Sequence, residues 1–192
     1  MIFKRLWKRH ASLQSSRGLL DPHKVLLDVG LKRGDTLLDA GCGDGYFALA
    51  ASEMVGPEGA VHAVDLSPGA ITLLKQEVAR KHIGNVDVLL LDITSGIPLA
   101  SDSVDMVVLV SVLHGFVTNK EVDDLLRELK RVLKTGGILS VVDFRKTKPP
   151  PGPVMSLRLA PEEVVTIISP YHFRKERIFE AGAYHYAVTF RT

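Results

Sequence analysis

The stretch Thr36-Leu37-Leu38-Asp39-Ala40-Gly41-Cys42-Gly43-Asp44-Gly45-Tyr46-Phe47-Ala48 reads as three consecutive pieces. A short apolar strand comes first, then a turn with glycines at alternate positions, then the start of an alanine-rich helix. Glycine lets the backbone take positive φ and lets another group approach where a Cβ would stand. Between a buried strand and a helix N-terminus, such a turn is a place to lay a ligand against bare backbone.

Working outward, the chain alternates. Strand Leu37–Ala40 leads to a helix over Tyr46–Val55, and Gly56-Pro57-Glu58-Gly59 turns into a strand over Ala60–Val64. Ser67 and Pro68 open a helix as cap and first helical residue, running to about His82. Strands follow over Val86–Leu91 and Val104–Val110, then an amphipathic helix over Lys120–Leu133, ended by Thr135-Gly136-Gly137, and a strand over Ile138–Phe144. Upstream, Asp21-Pro22 starts a helix that Gly30 stops. Downstream, Pro161-Glu162-Glu163 starts a short helix, and strands over Arg174–Phe179 and Tyr184–Arg191 form a hairpin, so one of the pair runs antiparallel. Strands that are apolar on both faces and alternate with helices predict an α/β fold, a parallel sheet covered on both sides.

The chain has 192 residues, enough for one full-sized core, with 46% hydrophobic and 24% charged residues. No apolar run approaches the ~20 residues of a membrane span. No apolar stretch follows the basic N-terminus, so no secretory signal is expected. A single cysteine, Cys42, excludes an internal disulfide and a cysteine-cluster metal site, and points to a reducing, cytoplasmic setting with no metal. Net charge is +2, too small to argue for nucleic acid. Residues 1–20 hold five cations and no acid, which leaves the other 172 residues at −3. The chain therefore divides into a basic arm (1–20), amphipathic over Met1–His10 and a candidate lid, and one domain (21–192). The proline run Lys148–Pro153 is read as carrying the chain across the top of the sheet.

The glycine turn is not the dinucleotide fingerprint, because its third glycine comes one residue early. Three successive strands end in an acid: Asp39, Asp65 (24 residues past Gly41) and Asp92. Singly, each suits a turn or a helix cap. Together they line the crevice at the strands' carboxyl ends, where open α/β sheets bind ligands. Asp65 is placed to accept from ribose hydroxyls and Asp92 from an adenine amino group. No lysine follows the glycines, and Asp44 would repel a phosphate. A cationic adenosine fits these acids; a pyrophosphate does not.

Leu37–Leu49 resembles motif I of class I S-adenosylmethionine (SAM)-dependent methyltransferases. Val61–Ser67, Val86–Ile93, Ser103–Phe116 and Leu133–Asp143 are similar to the motifs that follow, and the nearest subgroup is that of ubiquinone and menaquinone biosynthesis. The resemblance implies a Rossmann-like three-layer α/β/α sandwich with a seven-stranded, mostly parallel sheet and one antiparallel strand. It implies SAM as cofactor and S-adenosylhomocysteine as product. Asp39, Gly41, Gly43 and Tyr46 would surround the methionine end, Asp65 the ribose, Leu66 the adenine face, Asp92 and the Ile93 backbone the adenine edge. Ser111 would sit beneath the reacting methyl.

For the acceptor, His114 is the candidate base, alternatively a loop histidine with a local hydrogen bond. Tyr171, His172, Tyr184 and His185 could line the mouth, or be strand residues with exposed tips; His10 and His23 could fold over the cofactor. One cysteine disfavours arsenite, and no Asn/Asp-Pro-Pro-Tyr follows the fourth strand, which disfavours DNA bases. A small, lipophilic or aromatic acceptor is expected. A non-catalytic SAM-binding module, an RNA or protein methyltransferase guided by the arm, and a homodimer stay open.

Overall fold

The computed structural model describes residues 16–147 and 151–192. The expected helix over 1–10, His10 and the first half of the proline run lie outside them. In chain order the elements are α1 (Pro22–Val29), β1 (Thr36–Ala40), α2 (Tyr46–Val55), β2 (Ala60–Asp65), α3 (Pro68–Arg80), β3 (Val86–Leu90), β4 (Val104–Val110), α4 (Leu113–Asn119), α5 (Val122–Val132), β5 (Leu133–Phe144), α6 (Pro161–Ile168), β6 (Arg174–Glu180) and β7 (His185–Arg191).

The strands form one sheet in the order β3-β2-β1-β4-β5-β7-β6. All pairs are parallel except those of β7, which runs antiparallel to both β5 and β6. The expected sandwich and its antiparallel hairpin strand are therefore present. Leu37 and Leu38 explain the layering. They are neighbours on β1, point to opposite faces, and are both fully buried. Leu37 joins a core with α1, α2 and α3; Leu38 joins one with α4, α5 and α6. Each fully buried leucine contributes about 1.5–3 kcal/mol. After β3 the chain returns across the sheet to place β4 beside β1. That reversal opens a crevice at the carboxyl end of β1.

The caps behave as their residue types require. Asp21 accepts from Lys24 N at 3.2 Å and Ser67 from Ala70 N at 3.4 Å, each followed by proline at the first helical position. Glu163 reaches back to Ala160 N at 2.6 Å. In α5, acids 123 and 124 open the helix and Lys130 and Arg131 close it, as the helix dipole favours.

Two expectations need correction. The helix foreseen over Lys120–Leu133 starts only at Val122, and a separate helix, α4, precedes it. Lys120 takes a left-handed conformation (φ 59°) that separates them. Gly115 weakens the helical signal of α4, yet burial of Leu113 (0% exposed) and His114 (9%) overrides propensity. Likewise β5 begins at Leu133 rather than Ile138, because Leu133 pairs with Val104 before the glycine turn shifts the register.

Candidate functional site

The glycine turn is tied down from below. Gly41 N and Cys42 N both donate to Val64 O at the end of β2, at 2.8 and 3.0 Å. Gly41 has φ 89°, and a Cβ there would stand 2.8 Å from Val112 Cγ1, so only glycine fits. Gly43 N then donates to Asp65 Oδ2 at 2.9 Å, and Ser67 N to Asp65 Oδ1 at 2.7 Å. Two backbone donors thus fix the Asp65 carboxylate, while each oxygen keeps a second lone pair for a ligand hydroxyl.

A cavity of about 220 Å³ opens beside this turn. Gly41, Asp65 and Leu66 form one wall, Leu91, Asp92 and Ile93 a second. The third wall is Val112, Gly115, Phe116, Asn119 and Glu121, from α4 and its flanks. Asp92 Oδ1 accepts from Thr94 N (3.1 Å) and Thr94 Oγ1 (2.6 Å), so the acid also caps the turn Ile93–Ser95.

Asp39 lies under the turn, 1% exposed, with Oδ2 unpartnered among the described residues. Burial pushes its pKa up to about 7; the charges of Asp65 and Asp44 add to this, and the Ala48 backbone N–H pulls it back. Just past the end of neighbouring β4, the Ser111 hydroxyl is also buried without a partner among the described residues, and Ser111 holds a left-handed φ of 56°. Unsatisfied buried polar atoms cost about 1–3 kcal/mol each. Here two occur at adjacent strand ends, where a polar ligand would satisfy them.

The sequence-predicted residues are therefore partly gathered. Gly41, Asp65, Leu66, Asp92 and Ile93 line the cavity; Gly43 braces Asp65; Asp39 and Ser111 supply the unpartnered atoms. Tyr46 is absent from the cavity lining. Its hydroxyl donates to Leu20 O at 3.1 Å, and Arg17 stacks 4.7 Å above its ring while bonding Asp44 at 2.7 Å. Tyr46 thus anchors residues 17–20 against the glycine turn. The segment after Val110 was expected to help build the acceptor pocket, but Val112, Gly115, Asn119 and Glu121 were not singled out. Positions 112, 115, 116 and 119 have helical spacing, and that periodicity was the available signal.

His114 is buried, and its Nδ1 lies 3.2 and 3.1 Å from the two oxygens of Asp143, itself 0% exposed. The other aromatic candidates are dispersed. Tyr171 bonds Asp123 and His172 O accepts from Lys130, both on α5. His23 pairs with Glu53 at the surface. His185 is wholly buried against Phe144, with ring centroids 4.1 Å apart and both ring nitrogens unpartnered among the described residues; burial pushes its pKa down to about 4. Arg158 was also unforeseen. At 1% exposure it donates to the carbonyls of Arg145, Pro151 and Pro153, tying residue 145 to residues 151–153.

Among the described residues, no helix is long and apolar enough to cross a membrane. A profile of the family described as "Methyltransferase domain" matches residues 31–176. An arsenite methyltransferase of Halobacterium salinarum is 34% identical over 121 residues, 63% of this chain and 30% of that protein. A ubiquinone/menaquinone biosynthesis C-methyltransferase of Hydrogenovibrio crunogenus is 31% identical over 147 residues, 76% of this chain and 51% of that one. The chain thus spans about half the length, or less, of these curated relatives. A solved structure, a SAM dependent methyltransferase from Aquifex aeolicus, is 31% identical, superposes with a TM-score of 0.85 and matches over 96% of both chains. The cyclase SpnF, at 17% identity and a TM-score of 0.74, shares the fold alone.

Proposed function

We propose, on the premise that this chain belongs to the methyltransferase domain family, that it transfers the methyl group of SAM to a small, lipophilic or aromatic acceptor by in-line displacement. The observation that carries this is the acidic crevice. Asp65 and Asp92 line the cavity, Asp39 lies beneath the glycine turn, and both Asp39 and Ser111 keep an unpartnered buried atom. Such a donor-poor, carboxylate-rich site suits a cationic adenosine bearing an amino acid and disfavours a pyrophosphate. The cofactor fits the residues present.

Asp65 would hold the ribose hydroxyls, with Leu66 and Phe116 beside the adenine and Asp92 and Ile93 at its edge. Asp39, Gly41 and Gly43 would receive the methionine end, with Ser111 beneath it. Tyr46 would serve indirectly, by holding residues 17–20 of the arm over the turn. When bound, SAM supplies a methyl already activated on a sulfonium, so the chain mainly orients the acceptor and handles its proton. His114, held by Asp143 beside the cavity wall, would take that proton.

Val154 (65% exposed) and Leu157 (37%) support a lipophilic acceptor, because the Met155–Leu157 turn packs on α4. The quinone-directed names of several relatives agree with it. Arsenite is not followed: the one thiol, Cys42, is buried, and burial with the Asp39 and Asp65 charges holds it protonated. The test is incubation with methyl-labelled SAM and fractionated cell extract. Label in the organic-soluble fraction is expected. Label in RNA or protein would overturn the acceptor class, and SAM binding without any labelled product would make the chain a binding module.

A further inference from the structure

Asp143 is the penultimate residue of β5 and points into the core that holds Leu139, Val141 and Tyr186. A carboxylate is expensive there unless it has partners. Among the described residues its hydrogen-bond partners are two: Phe144 N, which donates to Oδ1 at 2.8 Å, and His114 Nδ1, 3.2 and 3.1 Å from its two oxygens. Val and Leu occupy the equivalent inward positions two and four residues earlier. The sheet therefore has no packing need for an acid at 143, and among the described residues its one side-chain partner is His114.

The geometry that brings them together is specific. Ser111 N donates to Val142 O at 2.7 Å, and the left-handed Ser111 turns the chain from β4 over the end of β5. Helix α4 starts there and sets His114 above Asp143. Thr118 Oγ1 donates to His114 O at 2.7 Å within the same helix. A carboxylate only accepts, so a proton belongs on Nδ1, and a ring that carries a single proton presents a bare Nε2. Nε2 has no hydrogen-bond partner among the described residues, and the side chain keeps 11% exposure. Val112, Gly115 and Phe116, on either side of His114, line the cavity, and His114 itself is not among the lining residues, so its ring stands next to that wall.

We infer that Asp143 is a positioning residue. It fixes the Nδ1–H tautomer of His114 so that Nε2 takes the proton of a hydroxyl-bearing acceptor, an inference that rests on the methyl-transfer proposal above. As the acceptor oxygen forms its bond to the methyl carbon, the carbon–sulfur pair stays on sulfur. The O–H pair stays on oxygen, and the proton moves to Nε2. Asp143 then faces an imidazolium and stabilises it. An acceptor that arrives without a proton to lose would have no use for the pair.

The test needs neither acceptor nor turnover. The full chain with ¹⁵N-labelled histidine is read by NMR for the ring tautomer of His114, and carbethoxylation of His114 by diethyl pyrocarbonate is followed by peptide mass mapping. The wild type should show the Nδ1–H tautomer. Asp143→Asn, whose amide can donate to Nδ1, should move the proton to Nε2 and slow carbethoxylation at His114 by about tenfold or more. Nε2–H in the wild type overturns the proposal, and that measurement stands even if the variant fails to fold. A folded variant with unchanged tautomer and reactivity also overturns it, leaving Asp143 a structural acid. Calorimetric titration of the same wild-type sample with SAM separates the two proposals: no binding sinks the methyl-transfer assignment, whatever the tautomer.

Discussion

SAM affinity should depend on the protonation of Asp39. In the ligand-free chain this carboxyl is 1% exposed and its pKa is pushed up to about 7, chiefly by burial. A cationic ligand meeting its unpartnered oxygen favours the ionised form. Affinity then scales with the ionised fraction of the free protein. That fraction is about one half at pH 7, about one eleventh at pH 6 and about one hundredth at pH 5. Affinity should therefore drop about fivefold over the first unit and about ninefold over the second. Below about pH 7 the ligand's own amino group stays protonated and does not add to the slope. Calorimetry near pH 6 in buffers of different ionisation heat should register release of close to one proton. The ligand-free chain should show the opposite trend in its own stability. Folded Asp39 keeps a proton that the unfolded chain gives up between its ordinary value of 3.8 and about 7, so this group's contribution falls as pH rises through that window. Asp39→Asn should abolish both effects. An affinity that is flat from pH 7 to pH 5, or a variant that keeps the wild-type slope, would refute the reasoning.

Other perturbations separate the parts. Gly41→Ala forces a Cβ to 2.8 Å from Val112 Cγ1 at a φ of 89°, and should cost about 1–3 kcal/mol in urea unfolding as well as SAM affinity. Gly43→Ala meets nothing within 4 Å, so it should cost only about 1 kcal/mol of stability while still weakening binding. Arg158→Met strands the carbonyls of Arg145, Pro151 and Pro153, and should destabilise by about 1–3 kcal/mol or more in urea unfolding. His185, pushed down to about 4 from 6.5, contributes stability that is complete above the higher value and is lost as pH falls toward the lower. His185→Phe should thus remove about 2 kcal/mol of acid sensitivity between neutral pH and pH 5, measured by urea unfolding at both.

Much of the cofactor side was legible because its signals are local. Asp39, Asp65 and Asp92 each close an apolar run, and the turn glycines stand at fixed offsets from the first. Strand alternation and the Pro-plus-cap starts at Asp21 and Ser67 needed no long-range knowledge. What stayed hidden depends on contacts between distant residues. His114 and Asp143 are 29 positions apart and meet only because β4 and β5 are neighbours and Ser111 turns left-handed. The bond of the Tyr46 hydroxyl to Leu20 O, 26 residues away, also had no local signal. Helix α4 was missed because Gly115 weakens its propensity, although its burial and its cavity-facing spacing make it part of the site. Arg158 looks like a surface cation in sequence, and only the folded crossing supplies its three carbonyls.

The central claim is that the glycine turn and Asp65 form the binding site for SAM. Asp65 is held by Gly43 N and Ser67 N with its remaining lone pairs toward the cavity. Calorimetric titration of SAM into the wild-type chain and into Asp65→Ala, with the fold of both checked by thermal melting, tests it most directly. Saturable one-to-one binding by the wild type and a loss of about a hundredfold or more in the variant are predicted, in line with removal of hydrogen bonds to a charged acceptor at about 1.5–3 kcal/mol each. Near-native affinity in a folded Asp65→Ala chain would contradict the account.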